Sequence, residues 1–140
     1  MDLNTIRDGA VALGRESFRN STGRDELPGQ FAIMLKHAPW IFGGYALMRA
    51  ELMREKAEGG ALDIKTKSMI FVLLCIMADD SANAKLHLEN AVNDGMTMPE
   101  FAEALTQVLM VGGISRWNNG CAGLLEEAER LMSAREQTKS

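Results

Sequence analysis

One histidine on a polar stripe is the group in this chain best placed to move a proton. On a helix of 3.6 residues per turn, the segment DDSANAKLHLENAVNDGMT puts Asp80, Asn83, His87, Asn90 and Asp94 on one stripe at i, i+3 and i+4 spacings. Ala84, Leu88, Ala91 and Val92 fall on the adjoining apolar face. His87 therefore lies at the boundary between the stripe and the core, where a titratable group is partly desolvated yet reachable by a ligand. A polar stripe is equally a solvated helix face, and a boundary histidine equally a hydrogen-bonded packing residue; periodicity alone leaves both readings open. Cations able to hold a carboxylate are Arg49, Lys65, Lys67, Lys85 and Arg116. Arg116-Trp117 stands out because it follows Gly112-Gly113: arginine grips a carboxylate bidentately, and an indole can wall a pocket. The alternative is a surface arginine at a helix start, with Trp117 in the core or at a subunit interface.

Other chemistries find less support. His37 precedes Ala38-Pro39 and suits a turn or a helix start. No H-x-x-x-H or H-E-x-x-H pair occurs, so no metal is expected. Ser81 and Ser115 fall at helix starts without a nucleophile elbow. Gly112-Gly113 lacks the lysine and the preceding strand of a phosphate loop. Cys75 and Cys121 are far apart and form no C-x-x-C motif. Cys75 lies in the apolar run MIFVLLCIMA and reads as a small buried thiol, and both cysteines suit a reducing cytoplasm.

The elements that must position these residues are helical. The chain has 140 residues, 46% of them hydrophobic, which fits a single domain over 1–140 with one core. The net charge is −4 with no basic segment, so a nucleic-acid partner is not expected. The N-terminus MDLNTIRDGA has no basic-then-apolar signal pattern, and no apolar run approaches the roughly 20 residues that span a bilayer, so no membrane partner is expected. Ten methionines serve as packing between helices.

Periodicity and breakers place an N-terminal helix over about 4–18, then a break at NSTGRDELPG. A short helix follows near 30–35, and Pro39 opens a helix that runs to Met53. Asp63 caps a helix that is apolar nearly all round from Met69 to Ala78, which predicts the buried centre of the domain. The histidine helix starts near Ser81 and ends at Gly95. Thr97-Met98-Pro99-Glu100 is a capping box, and its helix, carrying Phe101, Leu105, Val108 and Leu109, stops at Gly112-Gly113. The last helix runs from about Ser115 to Met132, and the tail SAREQTKS is expected to fray.

ALDIKTKSMIFVLL followed by KLHLENAVNDGMTMPEFAEAL resembles the carboxymuconolactone decarboxylase family, part of the alkylhydroperoxidase-D-like superfamily. The matching residues are Leu62, Lys65, Thr66, Lys67, Ser68, Met69, His87, Ala91, Gly95, Thr97, Glu100 and Glu103. LKHAPWIFGGYALM looks like the His-x-Pro segment of the related alkylhydroperoxidase branch. The similarity covers roughly the last two thirds of the chain. It implies an all-α fold: an orthogonal bundle of about six helices with its core over about 30–133. It also implies a homotrimer or homohexamer, with a pocket near the histidine helix and often close to a subunit boundary. Two departures stand out. Asp80 and Asn83 occupy the places where the peroxide-reducing branch carries its C-x-x-C, so thiol redox chemistry is absent there. RAELMREKAEGGAL and VLMVGGISRW replace the aromatic and Tyr-x-Gly-x-Pro-like segments of true decarboxylases.

The resemblance thus implies cofactor-free decarboxylation, or a related proton transfer, on a small carboxylated lactone or enol acid. His87 would be the acid–base group, Asp80 or Asn83 would orient it, and Arg116 or Lys67, with Trp117 beside it, would hold a carboxylate. A second reading is an oligomeric binding protein that kept the fold and lost the chemistry. A third, a thiol peroxidase using Cys75 or Cys121, has the least support.

Overall fold

The breaks at Gly23, at Ala38-Pro39 and at Gly95 each end a helix, and no strand occurs among the described residues. The computed structural model describes residues 1–20 and 23–140 in full. Its contacts divide the chain into two compact units: residues 1–54 with 58–60, and residues 55–57 with 61–140.

The first unit holds α1 (Leu3–Thr22), α2 (Gly29–His37) and α3 (Pro39–Leu52). Asp2 caps α1 by accepting from the Asn4 backbone N–H at 2.7 Å. The helix passes the expected end near residue 18 because its first left-handed stop is Gly23, at φ 66°. Gly43 lets α3 lie against α1, since a Cβ there would sit 2.9 Å from the Val11 backbone nitrogen. Phe18, Phe31, Phe42 and Tyr45 stack beside that crossing to form the unit's core. His37 is exposed in the last turn of α2.

The second unit holds α4 (Ile64–Met77), α5 (Ser81–Asn93), α6 (Met98–Arg116) and α7 (Ala122–Lys139). Asp63 caps α4 through the Thr66 N–H, and the capping box of α6 is complete, with Thr97 and Glu100 bonded both ways. Val72, Leu88, Phe101, Leu105 and Cys121 are fully buried at its centre. Among the described residues no helix is long and apolar enough to cross a membrane.

Three expectations are corrected here. The apolar helix α4 buries one face only, through Lys67, Ser68, Val72 and Ile76, while Ile70, Leu74 and Met77 are exposed. Apolar residues all round predict burial only when neighbours cover every side, and here they cover one. The last helix does not start at Ser115: Gly113, at φ 80° and ψ 176°, breaks the backbone of α6, and a π-helical turn at Trp117–Cys121 leads into α7. The polar tail does not fray; it is helical to Lys139. Arg135 holds it by donating to the Val92 carbonyl near the end of α5, where a cation suits exposed carbonyls.

Candidate functional site

The candidate site is the antiparallel hairpin of α4 and α5, and its corner determines how the two helices face each other. Both helices end in the same motif. At the end of α5, Gly95 donates to the Val92 carbonyl and Met96 to the Ala91 carbonyl, with Gly95 left-handed at φ 95°. At the end of α4, Asp79 donates to the Ile76 carbonyl and Asp80 to the Cys75 carbonyl. There the left-handed position is held by an aspartate, at φ 58°. A non-glycine residue in that region carries strain. Its side chain has a use: the Arg116 guanidinium donates to the Asp79 carboxylate and, at 3.4 Å, to the Ile76 carbonyl.

Asp80 begins α5. It accepts from the Asn83 backbone N–H at 3.1 Å and from the Asn83 side-chain amide at 2.6 Å. These two bonds hold its carboxyl below the usual carboxylate range, the side-chain bond most strongly, and the positive charge of His87 pulls the same way. Asp80 is therefore a persistent anion within reach of the His87 field. Asp80 and Asn83 are thus bonded to each other.

His87 is half-buried two turns into α5 and lies flat against Phe71 of α4, with ring centroids 4.6 Å apart and planes 15° from parallel. Lys67 lies one turn before Phe71 on the same face of α4. It is 8% exposed, the one charged side chain buried among the described residues. At the far end of the hairpin the Ser68 hydroxyl donates to the Asp94 carboxylate at 3.0 Å. Beyond it, Lys65 pairs with Glu100 at 2.7 Å, which raises the lysine and lowers the carboxyl.

The hairpin thus carries His87 on α5, the bonded pair Asp80 and Asn83 at the start of that helix, and buried Lys67 near the opposite end, on α4. Arg116 lies at its corner and is engaged there by Asp79, and Trp117 packs against the core of the second unit. Burial pushes both the Cys75 and Cys121 thiols up, and the Asp80 charge adds to the effect at Cys75, so neither is an activated thiolate. Among the described residues no cluster of three or more His, Cys, Asp or Glu side chains could hold a metal. Two surface depressions of about 460 and 490 Å³ lie away from His87, one beside Asp63, Lys65 and Asp94, the other between Met96 and α7.

Phe71 and the pairing of Asp79 with Arg116 escaped the reading of the sequence. Phe71 was hidden in an apolar run, although a signal existed. It and His87 each lie about two turns from the Asp79-Asp80 corner, so closing the hairpin pairs them. The Asp79–Arg116 pair gave no signal, because its partners are 37 residues apart.

The fold and site define an all-helical protein whose α4–α5 hairpin carries a half-buried histidine and a bonded Asp80–Asn83 pair. The chain belongs to the Carboxymuconolactone decarboxylase family, which it matches over residues 44–126, more than half its length. A crystal structure from Burkholderia xenovorans LB400, of a protein that goes by the carboxymuconolactone decarboxylase name, superposes with a TM-score of 0.82. The match covers 96% of this chain and 99% of that one at 21% identity, a likeness of fold. No curated protein matches the chain.

Proposed function

We propose that this chain removes carbon dioxide from a small carboxylated lactone or enol acid without a cofactor, using His87 as the acid–base group. The observation that carries the reading is a half-buried imidazole, seated on Phe71 and lying in the field of the ionised Asp80, in a chain of this family. As the carbon–carboxylate bond breaks, its electron pair moves through the conjugated system onto a carbonyl oxygen. Protonated His87 then gives its proton to the carbon and recovers one from water. Asp80, tied to Asn83, favours the charged imidazole. Lys67 supplies the cation that holds the carboxylate or the developing oxyanion. Arg116 can share that task only where Asp79 releases it.

The active form is a homotrimer or homohexamer. Support comes from the exposed apolar residues Ile70, Leu74 and Met77 along α4, and Met110 and Val111 on α6, the last two 84% and 79% exposed. Sedimentation as a monomer at micromolar concentration would reject this. A second reading, binding without turnover, draws on two observations: Arg116 is held by Asp79, and the two depressions lie away from His87.

The test is carbon dioxide release from a panel of carboxylated lactones, including 4-carboxymuconolactone, by the protein and its His87→Ala variant. General acid–base catalysis is worth roughly 10²- to 10⁴-fold, so the variant should lose at least about 100-fold. Full activity in the variant would remove His87 from the mechanism. No turnover by the parent would favour the binding reading.

A further inference from the structure

We propose that Phe71 is a positioning residue for His87, fixing the plane of its imidazole so that only the ring edge and one face are offered to a ligand. The two rings lie nearly parallel at 4.6 Å between centroids. That spacing leaves no room for the imidazole to turn edge-on about its last torsion, because an aromatic edge needs a wider separation than a stacked face.

The platform under each ring is rigid. On α5, Ala84, Leu88 and Ala91 flank His87 and are fully buried. On α4, Val72 and Ile76 anchor the buried face, and Ser68 is tied to Asp94 across the hairpin. The hydrogen-bonded left-handed stop at Asp79 and Asp80 closes the hairpin in which the two rings meet.

The consequence of the stacking is directional. The imidazole nitrogens lie on the ring edge, in a plane nearly parallel to the Phe71 ring, so neither points at that ring. A reacting carbon must approach that edge, or the face away from Phe71. An aliphatic side chain at 71 would fill much of the space yet leave the torsion free, and proton transfer depends steeply on such alignment. The inference rests on the proposed role of His87, but its test reads the imidazole directly, so the two can fail separately.

The chain has two histidines, and exposed His37 serves as an internal reference. In proton NMR of the whole protein, assigned with a His37→Gln variant, the His87 ring protons should lie upfield of those of His37, shielded by the Phe71 ring. Phe71→Leu should abolish that displacement, and Phe71→Tyr should keep it. Where the parent turns over a substrate, Phe71→Leu should lower kcat roughly 10- to 100-fold with little change in KM, and Phe71→Tyr should restore it. His87 protons at the His37 position in the parent would overturn the proposal even if Phe71→Leu failed to fold. So would a folded Phe71→Leu protein that lost the displacement but kept full kcat. Absence of turnover in the parent would count against the role of His87, and the spectrum would still decide whether Phe71 fixes its ring.

Discussion

Replacing Gly113 with alanine tests how the chain delivers Arg116 to the hairpin corner. Gly113 has φ 80° and ψ 176°, a region open in practice only to glycine. Holding an L-residue there costs on the order of 1–3 kcal/mol. Alanine also restricts the unfolded chain, which offsets about 0.4–1 kcal/mol. A Cβ at 113 would meet nothing within 4 Å, so crowding adds no further cost and the effect isolates the backbone. Taken at their midpoints, these two ranges leave a net loss of about 1.3 kcal/mol. Unfolding entropy near 2.1 cal/mol/K per residue makes that a Tm decrease of about 4 °C for a chain of this length. Thermal unfolding followed by circular dichroism measures it, with Gly123→Ala as control. Gly123 lies inside α7 with open space around its Cβ and no positive φ, so alanine there should stabilise by about 0.5–1 kcal/mol. A Gly113→Ala protein as stable as the parent, or more so, would refute the reasoning. Residues 98–116 would then run as one unbroken helix, and Arg116 would turn away from Asp79.

Asp79→Gly should remain within about 1 kcal/mol of the parent in urea unfolding, because relief of the left-handed strain offsets loss of a partly exposed ion pair; a loss of 3 kcal/mol or more would show the Arg116 pair to be a structural keystone. The Asp63, Asp80 and Glu100 carboxyls all lie below their usual values in the folded chain, held chiefly by hydrogen bonds from Thr66, Asn83 and Lys65. Such groups add stability above their unfolded pKa values, so stability should fall as pH drops from about 4.5 downward, where the unfolded chain binds protons first; a flat profile from pH 6 to 3 would contradict it. Burial raises both thiols, so alkylation of Cys75 and Cys121 at neutral pH should be much slower than that of a free thiol, and rapid labelling of the folded protein would reopen the peroxidase reading.

The start and stop of most helices were legible in the residues, because caps and left-handed stops act within one turn of backbone. Asp63, the Thr97–Glu100 box and Gly95 each satisfy neighbouring N–H or carbonyl groups, and each lies where the sequence places it. The stripe from Asp80 to His87 was legible for the same reason, since helical period alone aligns it. What lies across from a helix is not local. The face of α4 that stays exposed, the seating of His87 on Phe71, and the capture of Arg116 by Asp79 join residues 16 to 37 positions apart. Tail residues 133–139 stay helical because Arg135 finds a carbonyl 43 positions back. Single residues carry their own torsional preferences, whereas partners exist only once the chain has packed, and so tertiary structure alone decided that Asp79 holds Arg116 and that Lys67 is buried.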